Sequence, residues 1–224
     1  MSYLGSKGAS GAFQAIIAQM PPHDTYIETH LGTGAVMRHK PNANRSIGID
    51  ADQATLDKYH QDTAGVELVC KDAVSVLKSF DFDQAGRTLI YADPPYLHET
   101  RTSRKRYRHE YNREDHIRLL ECLKQLPASV ILSGYPSPLY DELLDDWRTL
   151  EFQVMTRGGV RTEKLWMNYD SEAAHWASFT GTNFTDRQRI KRKANRWAKN
   201  FKRLPPGERL AILAALLEVK GRPA

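Results

Sequence analysis

Four acids recur in the first half of the chain, each at the end of a short apolar run. They are Glu28 in "TYIETHLGTG", Asp50 in "SIGIDAD", Asp72 in "VELVCKDA" and Asp93 in "TLIYADPPY". Asp93 is followed by Pro94, Pro95 and Tyr96. Proline cannot donate to a sheet ladder, so a strand that reaches Asp93 must stop there, and the rigid corner beyond it presents Asp93 and Tyr96 in fixed positions. After Glu28, Gly32 and Gly34 form a tight turn that lets the backbone approach a ligand closely. An acid after the second strand is placed to accept hydrogen bonds from ribose hydroxyls, as in dinucleotide-binding folds. Each residue also has a plainer use: Asp50 and Asp72 are good helix caps, and paired glycines occur in many turns. The weight lies in four acids arriving at one edge in succession.

The elements that must position them are legible from period and composition. Seven apolar stretches read as strands: 25–28, 46–50, 66–70, 88–92, 129–134, 152–156 and 164–169. Helical segments alternate with them, at 34–39, 52–60, 73–80, 114–126 and 138–147. Near-continuous apolar strands alternating with helices specify a mostly parallel sheet covered on both faces. The last two strands are separated only by "RGGVRTE", whose Gly-Gly turn predicts an antiparallel edge hairpin. In such a sheet, ligands bind beyond the C-terminal strand ends, where the four acids fall. After Tyr169 β-character fades: a basic helical run reaches Arg203, breaks at Leu204-Pro205-Pro206, and leads into the apolar "GERLAILAALLEV". That last piece has apolar residues on more than one face and is expected to pack on the body or on a partner. The expected organisation is a body over 1–170 and a basic helical extension over 171–224.

The 224-residue chain carries a net charge of +5, and the charge is concentrated. Residues 185–203 hold nine Lys/Arg and one acid, and residues 98–113 hold six Lys/Arg and two acids. The rest of the chain is left at about −7. Two basic patches on an acidic body are the footprint of a polyanion binder. No apolar run is long enough to span a bilayer and the N-terminus lacks a signal-peptide layout, so a cytoplasmic protein is expected. Cys70 and Cys122 read as buried thiols, Trp147 and Trp166 as core, and the histidines show no metal-ligand spacing.

The stretches "YLGSKG" (Tyr3–Gly8), "IETHLGTGAV", "GID", "KDA" and "DPPY" follow the motif order of Dam-type, D12-class DNA adenine-N6 methyltransferases. "VILSGYPSPLYDELL" and "TEKLWMNY" resemble that family's later strands, and the basic tail resembles that of phage- and prophage-encoded members. The resemblance implies a Rossmann-like class I methyltransferase fold in a bacterial or phage-infected host cell, with S-adenosylmethionine as cofactor. It places Tyr3, Gly5, Ser6, Lys7, Glu28, Gly32, Gly34, Asp50, Asp72 and Asp93 around that cofactor, and Asp93, Pro94, Pro95 and Tyr96 at the reaction. An exocyclic adenine amine is a poor nucleophile because its lone pair is delocalised into the ring. The Asp93 carboxylate and the Pro94 carbonyl can each accept one N6–H, which favours a tetrahedral nitrogen. Tyr96 is the expected stacking partner for an adenine swung out of the duplex.

Two departures from the pattern carry consequences. Where the family has "EPF", this chain has Glu28-Thr29-His30. Larger members insert a target-recognition domain between the third and fourth motifs, whereas here only about 20 residues separate Asp72 from Asp93. A short or relaxed target sequence is therefore expected. The DNA contacts are assigned to Arg101, Arg104, Lys105, Arg106 and Arg108, just beyond the corner, with Arg189, Lys191, Arg192 and Lys193 as a phosphate clamp. Competing readings are RNA adenine methylation, protein glutamine methylation (which goes with Asn in place of Asp93), and a DNA-binding module that has lost catalysis. The biological roles open to such a protein include restriction–modification, restriction evasion and regulation.

Overall fold

The computed structural model describes residues 11–60, 65–97, 99, 110–156, 159–170 and 184–220. The chain divides into two units, Met1–Phe179 and Thr180–Ala224. In the first, β1 (Thr25–Glu28), β2 (Arg45–Asp50), β3 (Val66–Cys70), β4 (Thr88–Ala92), β5 (Ser129–Gly134), β6 (Arg148–Thr156) and β7 (Gly159–Met167) form one sheet. Its order is β3-β2-β1-β4-β5-β7-β6. The first five strands pair in parallel, and β7 runs antiparallel to both β5 and β6. The strand order reverses between β1 and β4, which puts their C-terminal ends at the crevice where doubly wound sheets bind ligands.

Helices cover both faces, as fully buried parallel strands require. On one face Tyr26, Leu89, Tyr91, Ile131 and Leu165 pack with residues of α1 (Ala12–Ile17), α2 (Ala35–His39) and α3 (Gln53–His60). On the other, Ile27, Ile47, Ile90, Leu132 and Trp166 pack with α4 (Ala73–Ser79), α5 (Arg113–Lys124) and α6 (Pro138–Leu143). Local signals start these helices. Asp72 caps α4, accepting from the Ser75 N–H at 2.9 Å, and Asn112 and Asp115 form a reciprocal capping box on α5. Pro138 opens α6, where its missing N–H costs nothing.

The expected strands all form, but the last two are longer than the sequence pattern suggested. β6 starts at Arg148 and β7 at Gly159, so most of "RGGVRTE" is paired strand. α1 was not expected, since its short apolar run follows a Gly-rich segment. Trp147 and Trp166 are buried as expected. Cys122 is buried but Cys70 is exposed, because β3 is an edge strand and its C-terminal residue opens to solvent. In the second unit, α7 (Phe184–Arg203) and α8 (Pro206–Lys220) meet at Leu204-Pro205. Trp197 on α7 and Leu210, Leu213 and Leu216 on α8 are exposed. Among the described residues no helix is long and apolar enough to cross a membrane.

Candidate active site

The turn after β1 is built on two glycines in the left-handed region, Gly32 at φ 51° and Gly34 at φ 62°. Gly34 is the N-cap of α2, and a Cβ there would run into the Tyr59 ring. Glycine is thus required at 34 both by the backbone angle and by close packing against α3. The turn is tied to β2 by Asp50, whose carboxylate accepts from the backbone N–H of Gly32 and of Asp52, both at 2.9 Å. The cap of α3 falls to Asp52, which accepts from the Ala54 N–H at 3.1 Å. At the next strand end Asp72 accepts from Arg118 of α5 at 3.0 Å as well as capping α4.

Glu28 ends β1 beneath this turn, 3% exposed, and accepts from the Tyr26 hydroxyl at 2.9 Å. Burial chiefly, helped by the nearby Asp93 charge and opposed by the Tyr26 bond, pushes its carboxyl up to about 8. Glu28 is therefore largely neutral at pH 7. Thr29 and His30, the departures from the family pattern, make a small network: Thr29 Oγ1 lies 2.8 Å from His30 Nδ1, and His30 Nε2 lies 3.0 Å from the Tyr111 hydroxyl. Burial drives the His30 imidazole down to about 3, with the neighbouring His116 adding to the effect, so the ring is neutral. Its aromatic partner is Tyr111, edge-on at 5.4 Å.

The Asp93–Tyr96 corner leaves β4 between the ends of β1 and β5, held at both ends. Ser133 of β5 donates to Asp93 Oδ1 at 2.8 Å and lies 2.9 Å from the Tyr91 hydroxyl. At the other end the Tyr96 hydroxyl donates to Glu163 of β7, at 2.9 Å to Oε1 and 3.2 Å to Oε2. Tyr96 is only 7% exposed, and its ring lies 4.2 Å from that of Tyr135 at 41°. The ring is thus packed against that of Tyr135. A cleft of about 420 Å³ opens beside Tyr135 and is lined also by Ser137, Arg161, Thr162 and Glu99.

Glu28, Gly32, Gly34, Asp50, Asp72, Asp93, Pro94, Pro95 and Tyr96 all fall at the C-terminal strand ends or the corner beyond them, around the β1–β4 crevice. Tyr3, Gly5, Ser6 and Lys7, with Arg101, Arg104, Lys105, Arg106 and Arg108, lie outside the described residues. Arg189, Lys191, Arg192 and Lys193 lie on α7, where Arg189 pairs with Asp186 at 2.8 Å. Sequence reasoning missed Glu163, the Asp50 bridge to Gly32 and the His30–Tyr111 contact. Glu163 left a signal: an acid sharing the inward parity of Leu165 and Met167 on its strand. The other two depend on which turns meet, and have none.

A profile of the family described as D12 class N6 adenine-specific DNA methyltransferase matches residues 50–162. The Type II methyltransferase M1.LlaDCHI of Lactococcus lactis subsp. cremoris is 33% identical over 106 residues. That match covers 43% of this chain and 37% of the relative, so the chain matches little more than a third of that protein. Among solved structures, a precorrin 8w decarboxylase from Methanobacterium thermoautotrophicum superposes with TM-score 0.49 at 13% identity, over 75% of this chain and 97% of that one. The 23S rRNA methyltransferase ErmE superposes with TM-score 0.48 at 10% identity, over 76% and 72%.

Proposed function

The chain belongs to the D12 class of N6 adenine-specific DNA methyltransferases, and from that premise we propose that it transfers a methyl group from S-adenosylmethionine to the N6 amine of an adenine in DNA. The observation that carries the reading is the Asp93-Pro94-Pro95-Tyr96 corner, clamped by Ser133 and Glu163 at the strand end beside the Gly32–Gly34 turn. The donor set suits the cofactor. Asp50 offers a carboxylate for ribose hydroxyls, Gly32 and Gly34 leave the backbone close to the crevice, and Glu28 and Asp72 flank it. Tyr3, Gly5, Ser6 and Lys7 complete the set by family pattern. When bound, S-adenosylmethionine supplies an electrophilic methyl on a sulfonium that needs no acid to leave.

The protein's part is positioning. Ser133 donates to Asp93 Oδ1 and so orients the carboxylate that accepts one N6–H. The Pro94 carbonyl accepts the second N6–H, and the two acceptors turn the amine lone pair toward the methyl donor. Tyr96, backed by Tyr135, offers an aromatic surface to an adenine drawn out of the duplex. Arg189, Lys191, Arg192 and Lys193 grip phosphates from α7, and Arg101, Arg104, Lys105, Arg106 and Arg108 do so beyond the corner. Between Asp72 and Asp93 lie only α4, a turn and β4, so no inserted domain reads sequence there and the target is short or relaxed.

The test is tritium transfer from labelled S-adenosylmethionine to unmethylated DNA and to RNA, with Asp93→Ala as control. Label in DNA that Asp93→Ala abolishes is expected. Label in RNA alone overturns the reading. Mapping N6-methyladenine across a plasmid checks specificity, and a strict motif of about six or more base pairs would overturn the relaxed-target reading.

A further inference from the structure

Glu163 is a carboxylate that the methyl-transfer chemistry does not call for, placed where a carboxylate is costly. It is 4% exposed, on a strand whose inward neighbours Leu165 and Met167 are fully buried. A buried acid needs strong hydrogen bonds to be tolerated. Both of its oxygens lie within hydrogen-bond range of one group, the Tyr96 hydroxyl. The register explains how they meet: Gly134 of β5 pairs with Lys164 of β7, so one step on Tyr135 comes beside Glu163. The Tyr96 ring then has Tyr135 against it at 4.2 Å and Glu163 at its hydroxyl.

We infer that Glu163 is a positioning residue that fixes where the Tyr96 ring lies against Tyr135, and through it where the target base is held. The inference rests on the function proposed above. A tyrosine is located at one end by its backbone, here the two-proline corner, which leaves rotation about its side-chain bonds. An acceptor at the hydroxyl removes the rotation about Cα–Cβ, and Tyr135 against the ring restrains the rotation about Cβ–Cγ, whose axis runs through the hydroxyl. Because Glu163 follows Arg161 and Thr162, which line the cleft, the ring is held by the same strand that lines the space beside it. Reactions that depend on alignment are sensitive to displacements of about 1 Å, so loss of the anchor should appear in turnover rather than in cofactor binding.

The variants are Tyr96→Phe, Glu163→Ala, Glu163→Gln and the doubles of Tyr96→Phe with each Glu163 change, assayed by tritium transfer to unmethylated DNA. Tyr96→Phe keeps the ring and removes the donor; Glu163→Gln keeps an acceptor. Expected are a roughly tenfold fall in kcat for Tyr96→Phe and for Glu163→Ala, with KM for S-adenosylmethionine unchanged, and near wild-type kcat for Glu163→Gln. The Tyr96→Phe/Glu163→Ala double should fall no further than about tenfold, since both changes break one interaction. A fall to the product of the two singles overturns the inference, as does Glu163→Ala with wild-type kcat or Glu163→Gln as slow as Tyr96→Phe. Should Glu163→Ala fail to fold, the Glu163→Gln double decides. Activity equal to Tyr96→Phe alone supports the inference, and a further tenfold loss overturns it. If the wild type labels RNA alone, the function proposed above fails and the same variants are read on RNA.

Discussion

Replacing Glu28 by Gln should make the protein more stable at alkaline pH, which is an unusual result for a residue beside a candidate cofactor site. The Glu28 carboxyl moves from its ordinary 4.5 to about 8, chiefly because β1 buries it, with the Asp93 charge adding to the effect. Between those values the unfolded chain has lost the proton and the folded chain keeps it. The folded state thus binds more protons, and stability falls as pH rises through the window, with the full cost reached above about pH 8. At about 1.4 kcal/mol per pH unit, the whole window is worth on the order of 5 kcal/mol. Glutamine is neutral throughout and can still accept from the Tyr26 hydroxyl. Relative to wild type, Glu28→Gln should gain roughly 3 kcal/mol between pH 5.5 and 7.5. Urea unfolding followed by tryptophan fluorescence at four pH values measures this. His30 also titrates abnormally but is present in wild type and variant, whereas Lys40 is coupled to the Glu28 charge, so the difference curve reports Glu28 together with that coupling. A pH-independent difference would refute the reasoning. A difference of opposite sign would mean that Glu28 folds as a carboxylate.

Other expectations follow from single contacts. Asp50→Asn can satisfy only one of the N–H groups of Gly32 and Asp52 and turns an amide donor on the other, so it should cost about 1–3 kcal/mol and roughly 3–10 °C in a thermal melt. Its affinity for S-adenosylmethionine, by calorimetry, should fall at least tenfold, whereas an unchanged melt would contradict the bridge. Gly34→Ala forces a Cβ into the left-handed region and against Tyr59, and should lose about 2–4 kcal/mol in urea unfolding. Ser133→Ala removes the donor to Asp93 and should lower kcat about tenfold with cofactor affinity unchanged. Equal losses in both would point to a general packing defect instead.

Much of the site was written in local pattern. The strand ends that deliver Glu28, Asp50, Asp72 and Asp93 are legible because each strand is an apolar run that stops at a polar residue, and the order of runs and helices dictates a parallel sheet. The two-proline corner is equally local: Pro94 and Pro95 end β4 whatever surrounds them. Contacts between segments distant in sequence were not legible. Nothing near Asp50 says that its carboxylate will hold the Gly32 N–H, and nothing near Gly34 says that a ring from α3 will fill the space of its missing Cβ. The exposure of Cys70 likewise follows from β3 being an edge, which is a property of strand order. Tyr96 shows the division most clearly. The sequence determines that an aromatic ring follows the corner, because that depends on residues 93–96 alone. That its hydroxyl is anchored and its face backed by Tyr135 was decided by tertiary structure, because β7 inserts between β5 and β6 and brings Glu163, 67 residues away, to the end of the corner.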